Sequence, residues 1–148
     1  MSAQGVLIEP SPDASSEVSV GARLISVVVP VVERADDLVA VYHAFARELD
    51  ARREAYEFIF VFDGRFTPPP ELLDVARKKD SVRLLRFARA FGETAALRLG
   101  IEKSRGDTIL TLPAYFQVQP EGIRLLLDGV GRGADMVVAS RSPPWTAG

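Results

Sequence analysis

Phe58-Ile59-Phe60-Val61-Phe62-Asp63-Gly64 is the stretch that decides the fold. Its run of apolar residues leaves no polar face, as in a strand buried on both sides, and Asp-Gly ends it with turn chemistry. Upstream lies a helical pattern with Leu38, Val41, Tyr42, Phe45 and Leu49 on one stripe and His43 beside it as a structural residue. Asp36 and Asp37 open that helix, where negative charge suits the N-terminal dipole. Earlier still, Leu24-Ile25-Ser26-Val27-Val28-Val29 is a β-branched run closed by Pro30. Downstream, Pro68, Pro69 and Pro70 precede a short helix through Leu72, Leu73 and Val75, proline being tolerated in its first turn. Val82 to Phe87 reads as a third strand, and about Glu93 to Ser104 as a small-residue helix stopped by Gly106. Thr108 to Leu112 reads as a fourth strand, Glu121 to Leu127 as a helix, and Met136 to Ala139 as a fifth strand. Strands alternating with helices imply an α/β three-layer sandwich with a mostly parallel sheet covered on both faces.

The 148 residues suffice for one domain with a sizeable core. A hydrophobic share of 47% fits a folded, soluble chain. The net charge of -2 provides no basic face, so nucleic acid is not an expected partner. The chain has no cysteine, which removes disulfides, thiolate metal sites and cysteine nucleophiles and suits a cytoplasmic location. With one histidine, a histidine-based metal cluster is excluded as well. The longest apolar run, Ile25 to Val32, is interrupted by Ser26 and Pro30 and falls short of the roughly 20 residues a membrane span needs. Residues 1–21, rich in serine, proline and small residues, read as a flexible leader without signal-peptide character, and residues 22–148 as the domain.

In sheets of this kind ligands bind beyond the carboxyl ends of the strands. Four segments end there: Val27-Val28-Val29-Pro30-Val31-Val32-Glu33, Phe58 to Gly64, Ala88-Arg89-Ala90-Phe91-Gly92-Glu93-Thr94, and Gly106-Asp107-Thr108-Ile109-Leu110-Thr111-Leu112. Together and in this order, from about Leu24 to Arg141, they resemble the family-2 glycosyltransferases, above all the polyprenyl-phosphate sugar transferases. The resemblance implies a GT-A fold, whose Rossmann-like half binds a nucleotide sugar. It also implies departures. Of a Tyr-Asn-Glu run in the first loop only Glu33 remains; in the second, Asp-Asp-Gly-Ser has become Phe62-Asp63-Gly64-Arg65. In the third, Arg89 and Gly92 persist while Ala90 replaces an asparagine. The fourth, an Asp-x-Asp motif that holds a divalent cation in relatives, reads Pro113-Ala114-Tyr115, with Gln117, Pro120 and Glu121 kept after it.

The resemblance makes Pro30, Glu33, Asp63, Gly64, Arg65, Arg89 and Gly92 the candidate nucleotide-binding residues. Each has a plainer reading beside it. Asp63 either accepts a hydrogen bond from a base or ribose or is a turn residue. Glu33, with Arg34 and Asp36, either faces the nucleotide or forms a solvated helix entrance. Gly92 either opens a helix whose N–H groups hold an anion or makes a tight turn. Arg65, Arg86 and Arg89 either clamp a diphosphate, since guanidinium matches phosphate geometry, or are surface cations.

The fourth loop carries the functional expectation. Hard cations need oxygen ligands, so the divalent ion expected of the family lacks its ligands here, and Tyr115 and Phe116 read as filling its space. The expected function is a glycosyltransferase-like domain without metal-dependent transfer and with no catalytic residue assigned. It keeps nucleotide or nucleotide-sugar binding or serves as an interaction module, through self-association or with a full-length relative. The alternative is an active, metal-independent transferase acting on a lipid phosphate or other acceptor. An acceptor-binding half is expected to be missing after Trp145.

Overall fold

The computed structural model describes residues 5–8, 23–116 and 119–136. Strand β1 (Gly5–Ile8) comes first. Then β2 (Leu24–Val31), α1 (Leu38–Ala51), β3 (Ala55–Phe62), α2 (Pro70–Lys78), β4 (Val82–Phe87), α3 (Glu93–Lys103) and β5 (Thr108–Thr111) alternate. A 3₁₀ turn, Pro120–Gly122, leads into α4 (Ile123–Gly131). The described strands form one sheet in the order β1-β4-β3-β2-β5. β2, β3, β4 and β5 pair in parallel, and β1 runs antiparallel along β4, with Gly5 opposite Phe87. The fold is therefore the expected α/β sandwich with a mostly parallel sheet, of GT-A, Rossmann-like type.

The strand pleat sorts the core into two layers. Ile25, Val27, Val29 and Val31 of β2, with Phe58, Phe60 and Phe62 of β3, pack against α1, α2 and α4. Alternate residues Ile59, Val61, Leu85 and Phe87 face Ala96 of α3 on the other side. The stripe expected on α1 is buried throughout, and Asp37 caps the helix by accepting from the Val39 and Ala40 N–H groups. His43 is exposed, its ring 5.1 Å from that of Tyr42.

Five expectations change. Pro30 does not close its strand: β2 continues to Val31, with Pro30 opposite Val61. Val31 turns its carbonyl to β3 and Val28 turns its own to Leu112, so by alternation the missing Pro30 donor faces the side where β5 has already ended. Within the stretch expected as a flexible leader, Gly5–Ile8 joins the sheet. Gly106 does not terminate α3, which ends with Ser104 as its extended C-cap. A Cβ on Gly106 would overlap the Leu24 carbonyl and Ser26, so glycine serves close approach to β2. The helix expected from Glu121 begins as a 3₁₀ turn and continues to Gly131. Of the expected fifth strand, Met136 is exposed and outside any strand, while 137–139 lie outside the described residues, as does Gln117.

At the amino ends of the strands, on the α3 side, sits a buried polar network. Glu57 accepts from Ser26 Oγ at 2.6 Å, from Arg83 at 2.9 Å and from the Arg105 N–H at 2.7 Å. Arg83 also donates to the Lys103 carbonyl at the end of α3, where a cation complements the helix dipole. Every oxygen of this buried carboxylate is occupied, and the network ties α3 to three strands.

Candidate functional site

The opposite, carboxyl ends of β2, β3 and β4 carry the sequence-predicted residues, and Asp63 is the chemical anomaly there. It follows the last residue of β3, is 0% exposed, and neither carboxylate oxygen has a hydrogen-bond partner among the described residues. Its backbone makes the turn by itself: its N–H donates to Val31 and its carbonyl accepts from Phe66. The side chain is therefore not needed for the turn. Its nearest cation is Arg65, whose Nη2 lies 3.9 Å from Oδ2, beyond hydrogen-bond reach, and 3.4 Å from the Val32 carbonyl of the first loop. The Arg65 side chain is 68% exposed.

Gly64 must be glycine because a Cβ there would overlap the Arg89 backbone, which locks the second loop onto the third. Arg86 reaches the Gly64 carbonyl at 3.4 Å, and its Nε is buried without a partner; this arginine braces the turn from below. Arg89 is exposed and leans over Phe91 at 5.7 Å. Gly92 has φ 93°, where glycine is favoured, and precedes an α3 N-terminus with no side-chain cap. Glu33 is exposed after β2, and Pro30 is buried inside it. The structure thus brings Asp63, Gly64, Arg65 and Arg89 together around one turn, with Gly92 beyond it; Pro30 is buried within β2, and Glu33 follows the Val32 carbonyl that Arg65 approaches.

A cleft of about 540 Å³ lies between the first and second loops, lined by Ala35 to Val39, Phe62, Phe66, Thr67, Pro69 and Glu71 along with Val31. None of the seven predicted residues lines it, although Phe62 and Phe66 bracket Asp63 to Arg65. The size suits a small ligand. Its walls bring the Asp36, Asp37 and Glu71 carboxylates and the Thr67 hydroxyl. The first α1 N–H groups are taken by Asp37, and α2 opens on prolines, which have no N–H to give.

The fourth loop is fastened to the first. The Asp36 N–H donates to Ala114 O, the Phe116 N–H donates to Asp36 Oδ2 at 2.9 Å, and Ala114 is buried in the core. Tyr115 is half-buried beneath the Arg34 guanidinium, 4.5 Å from the ring centre, and Arg34 also lies 3.8 Å from Asp36. Phe116 is 45% exposed, and Tyr115 packs under a cation. In the sequence Arg34 reads only as part of a helix entrance. Nothing local signals that it meets an aromatic from a distant loop.

Donor chemistry does not fit the divalent cation of the resemblance. Pro113-Ala114-Tyr115 bring no carboxylate, and among the described residues no three histidine, cysteine, aspartate or glutamate side chains are grouped to hold a metal ion.

An open, mostly parallel sheet with a small-molecule cleft and an unpaired carboxylate at its strand tips defines an α/β domain of the GT-A, Rossmann-like class. The chain belongs to glycosyl transferase family 2, whose family model matches residues 26–143. It is 32% identical over 120 residues to an undecaprenyl-phosphate 4-deoxy-4-formamido-L-arabinose transferase of Pseudomonas paraeruginosa, covering 80% of this chain and 35% of that one. The Aeromonas hydrophila protein of the same name is 31% identical, covering 80% and 37%. An uncharacterised glycosyltransferase of Synechocystis sp. is 31% identical, covering 79% and 37%. The chain thus spans a little over a third of the length of these relatives. Among the described residues no helix is long and apolar enough to cross a membrane.

Proposed function

We propose that this family-2 glycosyltransferase domain binds a nucleotide or nucleotide sugar at the carboxyl ends of β2, β3 and β4 and has lost metal-dependent sugar transfer. The observation that supports binding is the buried, unpaired Asp63 carboxylate. An unsatisfied buried polar group costs about 1–3 kcal/mol, more when charged. A ligand N–H or hydroxyl, as on a base or ribose, would relieve that cost. The neighbouring cleft, with acceptor-rich walls, suits the nucleoside better than its phosphates.

Loss of metal-dependent transfer is supported by the fourth loop. Lewis-acid assistance is worth several kcal/mol, and each 1.36 kcal/mol is about tenfold in rate. A loop whose central residue is core and whose aromatic is covered by a guanidinium offers no such help. The domain then serves as a nucleotide-responsive or interaction module in the cytoplasm, with a second copy or a full-length relative as partner.

Calorimetry with UDP, GDP and their sugars, with and without Mn²⁺, tests this reading. An activity assay with undecaprenyl phosphate, the lipid in the relatives' names, accompanies it. Binding that Mn²⁺ does not strengthen, without turnover, is the expected result. Turnover of a nucleotide sugar would overturn the loss of transfer; failure to bind any nucleotide would overturn the binding site.

A further inference from the structure

Arg34 and Arg65 stand on different loops at the strand ends, and both are tethered while their cationic heads stay accessible. Their side chains are 64% and 68% exposed. Each meets a carboxylate only at long range, Arg34 to Asp36 at 3.8 Å and Arg65 to Asp63 at 3.9 Å. Both border the first loop: Arg34 belongs to it, with its guanidinium over Tyr115 of the fourth, and Arg65 reaches its Val32 carbonyl from the second. Tyr115 holds the first guanidinium from below, and the Gly64–Arg89 backbone contact fixes the base of the second. Asp36 accepts from the Phe116 N–H through Oδ2, while its Oδ1 stays 3.8 Å from Arg34, beyond hydrogen-bond reach. Asp63, fully buried, waits for a donor that Arg65 at its present distance does not provide. The region therefore lacks two things at once, an anion for two guanidinium groups and a hydrogen-bond donor for one carboxylate.

We propose that Arg34 and Arg65 form a clamp that holds the diphosphate of a nucleotide without a divalent ion, with Arg65 leaving Asp63 to a donor on the same ligand. This rests on the nucleotide-binding reading above. Planar guanidinium groups match phosphate oxygens in pairs, and such charge-assisted bonds are the strong ones. Giving up the Arg65–Asp63 contact costs little, because it is 3.9 Å long, beyond hydrogen-bond reach, and the arginine lies mostly in water. The clamp supplies positive charge where Pro113-Ala114-Tyr115 supply no ligand for an ion.

The test titrates the protein in EDTA with UDP, uridine and inorganic pyrophosphate. Affinity is read by calorimetry and the arginine Nε–Hε signals by NMR. Arg34→Gln and Arg65→Gln should each weaken UDP about tenfold and together about a hundredfold, leave uridine unchanged, and leave the thermal melt unchanged. UDP affinity unaltered in the double variant overturns the clamp and leaves the nucleotide reading standing. Equal losses for UDP and uridine also overturn it, since they indicate a structural effect. Pyrophosphate shifting both arginine signals while uridine and UDP fail to bind ends the nucleotide reading and overturns the clamp as a site for a nucleotide's diphosphate. No binding by any of the three overturns both.

Discussion

Asp63→Ala should make this protein more stable and a poorer nucleotide binder. Most substitutions of a fully buried residue destabilise, so the sign of the effect is the informative part. Three contributions set it. Removing a buried carboxylate without hydrogen-bond donors relieves a cost above the about 1–3 kcal/mol typical of a neutral unsatisfied group. Losing the 3.9 Å contact to Arg65, mostly exposed on the arginine side, returns no more than about 1 kcal/mol. The small void left by two oxygens and a carbon costs on the order of 1 kcal/mol. The turn survives, because the Asp63 backbone makes both of its hydrogen bonds. With the cost of the charged group taken at about 3–4 kcal/mol, above the neutral range, a net gain of about 1–2 kcal/mol follows, or ~2–8 °C in Tm for a chain of this size. Thermal melts by circular dichroism measure it, and calorimetry with UDP should show at least about a tenfold loss of affinity. A fall in Tm would refute the reasoning. It would mean that the carboxylate already has a stabilising partner and is the turn residue of the plainer reading.

Two further outcomes follow from other buried polar groups. Glu57→Ala should destabilise by about 3–5 kcal/mol in urea unfolding, because it takes the carboxylate from buried Arg83 while Ser26 and the Arg105 N–H lose their acceptor. Tyr56, raised above its ordinary 10.0 first by burial and then by its hydrogen bond to Asp50, is favoured protonated in the fold; Tyr42 is raised as well, chiefly by burial. Their contribution is full below pH 10 and is lost as pH rises beyond it, so stability should fall on the alkaline side and fall less steeply in Tyr56→Phe, read from urea midpoints across pH 8–11.

The order of elements was legible because it depends on local periodicity. The Phe58 to Phe62 run, the Leu38 to Leu49 stripe and the prolines before Leu72 each declare their element within a few residues. Features set by distant neighbours were not legible. Gly106 looked like a helix stop, yet what demands glycine is β2 pressing against it. Ser26 looked like an interruption of an apolar run; it is a member of the Glu57 network. Pro30 looked like a strand end because its missing donor is costly only where a neighbouring strand is present to receive it, and β5 stops first. At the site, Asp63 and Arg65 could be named from their place after a strand. The Arg34–Tyr115 pair could not, since it depends on how two loops far apart in sequence dock.

β3 carries both ends of this argument. Glu57 near its start and Asp63 just after its end are each almost wholly buried, and each lies near an arginine. At Glu57 the arginine is 2.9 Å away and 4% exposed, and a hydroxyl and a backbone N–H complete the shell. A carboxylate so enclosed has nothing left to offer a ligand, and its network binds α3 to the sheet. At Asp63 the arginine is a full ångström farther and mostly in water, with no donor in reach among the described residues. Burial is thus common to both, and hydrogen-bond satisfaction separates them. Parallel sheets of this type direct ligands to the carboxyl ends of their strands, and that is the end at which this strand leaves its acid unpaired. The fourth loop sharpens the contrast. Its backbone and aromatic are engaged by Asp36 and Arg34, so it contributes structure and a fixed cation rather than an open coordination site. What remains chemically unfilled at the strand tips is one acid in want of a donor and two guanidinium groups in want of an anion, a combination that a nucleoside diphosphate answers in a single molecule.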